Sequence, residues 1–86
     1  MPLYYFDIDN GDFTADDEGA ELADTEAARA HAIKAARSLA ADTVILGHLG
    51  LTRKIVILDE NRTVIGTVTL AEAVTYEIKY RGPNRD

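Results

Sequence analysis

The order of apolar and polar residues at the start of the chain predicts a β-hairpin. From Leu3 to Asp9, apolar side chains at the even positions fall on one side, which is the period of two of a half-buried strand. Asn10-Gly11 follows, and this pair favours a type I′ turn because both central residues need a positive φ. We expect Phe13 to Ala15 to return as the second strand.

A second turn, Asp16 to Gly19, leads through a short extended stretch, Ala20 to Leu22, to a long helix. The helix is predicted to begin at Asp24 or Thr25, because either side chain can accept a hydrogen bond from a backbone N–H of the first turn. The next residues are rich in alanine, a strong helix former, and Gly47 is a natural C-terminal stop. At about 100° per residue, one face that we expect to pack on a sheet contains Ala28, Ala32, Ala35, Leu39, Thr43 and Leu46.

A second apolar line runs along the same helix. Ile33, Ala40 and Val44 lie about 120° around the axis from the first face. A single sheet does not cover both faces of a helix. Either this helix is buried more deeply than a surface helix, or its second line meets another subunit.

The second half of the chain predicts another hairpin. Residues 53–58 are almost continuously apolar, and residues 63–70 are rich in β-branched side chains. Asp59 to Arg62 joins the two strands as a turn, and Ala71 to Val74 is predicted to form one helical turn. Beyond it, a further strand is indicated by the alternating apolar residues Val74, Tyr76, Ile78 and Tyr80.

The elements follow the order β-β-α-β-β and predict the α+β class, with one helix packed on a small antiparallel sheet. A length of 86 residues suits a single domain. We assign residues 1–74 to this domain. Residues 75–86 form a C-terminal extension, which is predicted to begin as a fifth, edge strand and to end as a frayed tail.

Acidic residues are concentrated in the first third of the chain. Residues 1–26 contain nine Asp or Glu and no Lys or Arg, whereas the remainder contains six acids and nine bases, so the two parts carry −9 and +3. This asymmetry is explained either by a solvated acidic rim or by a docking surface for a basic protein partner. It disfavours nucleic-acid binding, because phosphate groups would be repelled.

Other features of the composition narrow the class of protein. The chain has no cysteine, which excludes disulfides and thiolate chemistry. Its longest uncharged apolar stretch, Thr43 to Leu51, is far shorter than the roughly 20 residues that span a membrane. The N-terminus lacks the basic region of a signal peptide. We therefore expect a soluble, cytoplasmic protein with no membrane association.

The opening of the chain resembles a known family of short bacterial proteins that share a domain of unknown function, DUF6894. The similar segments are Tyr4 to Ile8, Asn10 to Asp12, Asp17 to Gly19, Glu21-Leu22, Asp24, Glu26 to Ala30, Ala32, Ala36 to Leu39 and the hairpin from Ile55 to Leu70 around Asp59-Glu60. The resemblance covers roughly residues 2–74 and implies a small bacterial protein. It implies no reaction and no catalytic residues. The chain departs from the family pattern at Arg62, where a turn glycine is expected.

The acidic residues of the first hairpin resemble the start of a calcium-binding loop. Such a loop needs oxygen ligands at its first, third and fifth positions and a glycine at its sixth. We count these positions from Asp7. Here Gly11 comes one position too early, and Asn10-Gly11 is already explained as a turn. Asp9 and Asp12 are therefore interpreted as hairpin residues, and we predict no metal site.

Neither histidine belongs to a recognisable catalytic set. His31 and Ser38 are seven residues apart, which is about 10 Å along a helix and too far for a base and its nucleophile. Ser38 and Asp42 form an ordinary surface pair. His48 lies between two glycines and has no identified carboxylate partner. We predict no catalytic residue, no cofactor and no enzymatic activity.

A protein-binding module is the remaining interpretation. The first hypothesis is a homodimer, whose predicted interface contains Ile33, Ala40, Val44, Tyr76, Ile78 and Tyr80. The alternative is an antitoxin-like regulator, because Asp24-Thr25 is similar to the helix start of HicB-type antitoxins. In that case the acidic first third would cover a basic partner.

Overall fold

The computed structural model describes residues 1–47 and 50–74. The first half contains three strands and a long helix: Leu3–Asp9 (β1), Phe13–Thr14 (β2), Ala20–Glu21 (β3) and Thr25–Ile45 (α1). The second half contains two strands and a one-turn helix: Lys54–Leu58 (β4), Val64–Thr69 (β5) and Leu70–Ala73 (α2). The α+β class is confirmed. The order is β-β-β-α-β-β, since the extended stretch before the helix is itself a short strand.

The two hairpins meet in the middle of the sheet, where β1 and β4 pair antiparallel in the order β2-β1-β4-β5. The outer edge of β1 carries two strands, β2 near its end and β3 near its start. In a strand, alternate residues direct their backbone groups to the same side. Pro2 and Asn10, at the two ends of β1, are both even-numbered: the carbonyl of Pro2 accepts from the N–H of Leu22, and the N–H of Asn10 donates to the carbonyl of Asp12. Both short strands therefore lie on the same edge of β1.

The long helix begins and ends at the predicted signals. Asp24 is the N-cap, and its Oδ1 accepts a hydrogen bond of 2.8 Å from the N–H of Ala27. The helix ends at Ile45, and Gly47 follows with φ of 98°, the left-handed conformation that favours glycine. Both boundaries were therefore readable from local side-chain chemistry.

The buried side of α1 drifts away from the predicted face. The buried residues from Ala28 to Ala40 are spaced by four positions, and each such step rotates the buried direction by about 40° around the helix axis. Ala40, which was assigned to the second apolar line, is therefore buried in the core. Ala35 and Leu39 of the predicted face are only partly buried. The prediction for Leu46 is wrong, since it is the C-cap and is 76% exposed. The buried residues of the helix are Ala28, Ala32, Ala36, Ala40 and Thr43.

The core lies between α1 and one face of the sheet. Small side chains on the helix let it approach large ones on the strands, which are Tyr4, Phe6, Ile55, Ile57 and Val68, with Leu70 of α2. The second hairpin is close to its predicted bounds. The helical turn after it begins one residue earlier than predicted, because Thr69 and Glu72 form a capping box.

The opposite face of the sheet carries Tyr5, Asp7 and Leu58, since successive side chains of a strand point to opposite faces. Asp7 and Leu58 are nevertheless buried there, at 3% and 6% exposure. A carboxylate buried on this face needs polar partners.

The predicted fifth strand and tail, residues 75–86, lie outside the described residues, as does His48. The assignment of residues 1–74 to one domain stays a prediction.

Candidate interaction surface

The carboxylate of Asp16 takes the place of a strand along the middle of the β1 edge. Between the segments paired with β2 and β3, the N–H of Phe6 donates to Asp16 Oδ2 at 3.0 Å. Asp16 Oδ1 accepts from the N–H groups of Glu18 and Gly19, each at 3.1 Å. Although partial burial raises the pKa of Asp16, these three N–H donors and the Arg62 guanidinium hold it below its ordinary value. The carboxylate therefore stays charged and closes this edge.

Asp7 and Arg62 form an ion pair that fixes the same loop from the open face of the sheet. Arg62 Nη2 lies 3.1 and 3.2 Å from the two carboxylate oxygens of Asp7. Asp7 Oδ1 also accepts from the N–H of Asp16 at 2.8 Å, and Arg62 Nη1 donates to the carbonyl of Asp16 at 3.2 Å. The guanidinium carbon lies 4.5 Å from the centre of the Tyr5 ring. Asp7 is thus held by contacts with two other described residues, Asp16 and Arg62.

Arg62 is also the position at which the chain departs from the family pattern. Its φ is 62°, which is the left-handed region that glycine adopts without steric cost. The turn therefore has the backbone conformation of the expected glycine. In this conformation the arginine side chain reaches Asp7 of the central strand β1.

The fixed loop forms one wall of an open groove of about 380 Å³. The side chains of Phe6 and Ile8 give the groove an apolar floor, and Thr14 and Ala15 line one side. Asp17 and Glu18 lie at the rim, and both residues are exposed. The groove combines apolar surface with negative charge. A lysine or arginine side chain is complementary to it, because its stem is apolar and its end group is positively charged.

A second groove, of about 270 Å³, separates the first turns of α1 from β5. It is lined by both an acid and a base of the helix, with apolar residues below: Thr25, Glu26, Arg29, Ile57, Ile65 and Gly66. Arg29 Nη1 lies 3.5 Å from the carbonyl oxygen of Thr67, so this flank of the helix reaches the outer edge of β5.

Exposed apolar side chains are concentrated at two places in the described part of the chain. The end of α1 carries Val44, Ile45 and Leu46, which are 56%, 81% and 76% exposed. The start of β5 carries Val64 and Ile65, which are 58% and 42% exposed. We call these two places the helix-end patch and the edge patch.

The predicted interface residues fall into three environments. Ile33 is half-buried and packs against the rim of the core, and Ala40 is buried within the chain's own core, so its side chain is not accessible. Val44 is exposed and belongs to the helix-end patch. Tyr76, Ile78 and Tyr80 lie outside the described residues. The predicted dimer interface is thus neither assembled nor excluded by the fold, and the edge patch was not part of it.

The three helix residues that were weighed as candidates for catalysis do not form a catalytic group. His31, Ser38 and Asp42 are exposed on the helix, and the His31 ring lies 4.5 Å from the Phe6 ring. Within residues 1–47 and 50–74, no three His, Asp or Glu side chains are grouped in a way that could hold a metal ion. In the same ranges, no helix is long and apolar enough to cross a membrane.

Comparison with known proteins gives one match. The model of a family described as a domain of unknown function, DUF6894, matches residues 3–71. This match confirms the resemblance seen in the opening sequence. No curated protein and no solved structure matches the chain.

Proposed function

We propose that this chain, which belongs to the DUF6894 family, is a small protein-binding module that associates with a second copy of itself. The observation that carries this proposal is the placing of exposed apolar surface. Seven large apolar side chains are exposed among the described residues, and five of them lie in the helix-end patch and the edge patch. Apolar patches of this kind on a small domain mark interaction sites.

The size of the chain supports the same proposal. A domain of 86 residues buries only about 60–65% of the surface of its unfolded chain, so a second copy adds apolar burial that one copy lacks. Four of the five most buried helix residues are alanines, which contribute little apolar area each. Association would therefore stabilise the fold as well as perform the function.

A non-enzymatic role is part of the proposal. Among the described residues, three carboxylates make structural contacts. Asp7 pairs with Arg62, Asp16 accepts from backbone N–H groups, and Asp24 caps the start of the helix. His31 has an aromatic neighbour rather than a nucleophile. These contacts favour binding over catalysis.

Light scattering of the purified full chain tests self-association directly. We expect a native mass of twice the 9.4 kDa chain, decreasing towards 9.4 kDa on roughly hundredfold dilution by mass action. A mass of 9.4 kDa at every concentration would contradict the proposal.

A second candidate function is the antitoxin-like regulator, in which the acidic first third covers a basic partner. The groove with the apolar floor of Phe6 and Ile8 and the acidic rim of Asp17 and Glu18 supports it. A small basic reading frame next to the gene would support it independently.

Binding of a basic, amphipathic probe tests this second candidate. The probe is a peptide of alternating lysine and leucine, titrated calorimetrically at low salt, and the test variant is Asp17→Asn with Glu18→Gln. Two exposed ion pairs are worth about 0.2–1 kcal/mol each, so we expect a Kd roughly 2- to 30-fold higher for the variant. The control, Asp42→Asn with Glu60→Gln, removes the same charge from exposed positions outside the groove. Equal weakening by both variants would show that net charge, and not the groove, attracts the peptide.

A further inference from the structure

We infer that the outer edge of β5 pairs antiparallel with β5 of a second copy, about a two-fold axis at Gly66. This inference rests on the proposed self-association and names the surface that performs it. It joins two sheets into one continuous sheet, with both long helices on the same side. The proposed occupant of the edge is a second copy of this chain.

The composition of β5 leaves its edge open to pairing. The strand has six residues, Val-Ile-Gly-Thr-Val-Thr, with no charge and no proline. Natural sheets protect an edge with charged side chains, proline, β-bulges or very short strands. β5 has one register shift, which places Ile65 outside the regular pairing with β4. From Gly66 to Thr69 the pairing with β4 is regular, and this uncharged stretch is a template for another strand. No strand among residues 1–47 and 50–74 pairs with this side of β5.

The ladder shows which backbone groups face the edge. Leu70 donates to the carbonyl of Arg53 at 2.8 Å, so Val68 and Gly66 also turn their backbone groups towards β4. The backbone groups of Thr67 consequently point outwards, which agrees with the contact from Arg29 to its carbonyl. The edge ends at Thr69, whose N–H donates to Glu72 Oε1. A second copy therefore meets the strand around Gly66 and Thr67.

Helix spacing favours a copy with the same fold. Helix α1 packs over β4 and β5, and neighbouring strands are about 4.8 Å apart. A two-fold axis beside β5 separates the two helix axes by two strand spacings, roughly 10 Å. Packed helices are about 8–10 Å apart, so strand pairing would bring the helix flanks into contact. Gly66 has no side chain to obstruct this approach.

The charges on the helix flank above β5 are complementary to those on the same flank of a second copy. Arg29 lies above Thr67, and Glu26, one turn earlier, lines the same groove with Ile65 and Gly66. A two-fold axis at Gly66 places Arg29 opposite Glu26 of the partner subunit, and the reverse, as an isologous interface requires. Ile33, one turn after Arg29 on the same flank, extends the contact with apolar surface.

Paired lysine substitutions in the two apolar patches test the inference. Ile65→Lys places a charge on the edge, and Ile45→Lys makes the same change in the helix-end patch, where the side chain is 81% exposed. We expect Ile65→Lys to raise the dimer dissociation constant at least tenfold, measured by light scattering on dilution. We expect Ile45→Lys to leave it within twofold, with both variants retaining the circular dichroism of the native chain.

A charge exchange gives a test that does not depend on the lysine variant folding. Arg29→Glu places like charges across the axis and should weaken the dimer, whereas Glu26→Arg with Arg29→Glu restores the opposite charges and should recover most of it. Failure of the exchange to recover association would overturn the inference.

Three results separate the inference from the proposed function. If Ile45→Lys dissociates the dimer and Ile65→Lys does not, self-association stands and the edge is the wrong surface. If the native chain is a monomer at every concentration, both fall. A monomer whose β5 amides are strongly protected from exchange would show that the chain's own residues occupy the edge, which also overturns the inference.

Discussion

The two edges of the sheet are built in opposite ways. The β1 edge is divided between two strands of two residues each, and a charged carboxylate binds the N–H of Phe6 between them. The β5 edge is a strand of six residues without a charge, with one register shift at Ile65. The first edge is closed by the chain itself, whereas no strand among residues 1–47 and 50–74 pairs with the outer side of the second, where Arg29 contacts the carbonyl of Thr67.

In the proposed dimer, this difference would separate the contacts that stabilise the fold from the contacts that join two copies. The closed edge depends on polar contacts between residues distant in sequence, such as the pair of Asp7 and Arg62. The open edge depends on local composition, because β-branched residues favour strand pairing wherever a partner is present. Substitutions at the closed edge should therefore change folding, and substitutions at the open edge should change oligomeric state.

The largest effect is expected from Arg62→Ala, which leaves the Asp7 carboxylate buried without its cation. We expect a loss of about 3 kcal/mol in the free energy of unfolding, measured by urea denaturation. The matched variant is Arg62→Gly, which also removes the ion pair but suits the φ of 62°. It should be more stable than the alanine variant by about 1 kcal/mol. Equal stability of native and alanine chains would mean that the ion pair does not close the edge.

An effect of about 2 kcal/mol is expected from Gly19→Ala, at the end of the loop that closes the β1 edge. Gly19 has φ of 73°, and an added Cβ would lie 2.8 Å from the carbonyl oxygen of Tyr4. Gly47→Ala is the control, since φ is 98° there but no atom lies within 4 Å of an added Cβ. It should cost about 1 kcal/mol. A greater loss for Gly47→Ala in thermal denaturation would contradict tight packing at Gly19.

The smallest of the three effects, about 1–2 kcal/mol, is expected from Asp16→Asn, because a charged acceptor of three N–H donors becomes a neutral amide. The effect should depend on pH. The pKa of Asp16 in the folded chain lies below its ordinary value of 3.8, so its contribution is present above that pH and is lost as the pH falls through the lower folded value. Unfolding measured at successive pH values should show the two chains converging in acid. A difference that stays constant to the lowest pH would assign the effect to geometry instead of charge.

Local signals in the sequence predicted most of the fold. Asp24 predicted the helix start and Gly47 its end, because each of these depends on neighbouring residues only. The type I′ turn predicted at Asn10-Gly11 is wrong: Gly11 has a φ of 105°, but Asn10 does not have a positive φ, and the connection between Asp9 and its partner Phe13 is longer than two residues. The strand order did not follow from the sequence, since the pairing of β1 with β4 joins segments that local patterns do not relate.

The proposed interaction surface was harder to predict than the fold. Ala40 was placed at an interface because a fixed helical wheel ignores the drift of the buried line towards α2. The ion pair joins Asp7 and Arg62 across 55 positions. Two anomalies pointed to it, an acid within an apolar strand and an arginine where a turn glycine was expected. The edge patch was not among the predicted interface residues, because a strand's position in the sheet decides whether its apolar residues are exposed.

Amide hydrogen exchange at low and high protein concentration is the most direct test of the contrast between the edges. Phe6 represents the closed edge and Thr67 the open edge. The account predicts that exchange of the Thr67 amide slows as the concentration rises and the β5 edges pair, whereas Phe6 exchanges at the same rate in both samples. Exchange at Thr67 that does not depend on concentration, in samples whose masses show dimer formation, would contradict pairing through β5.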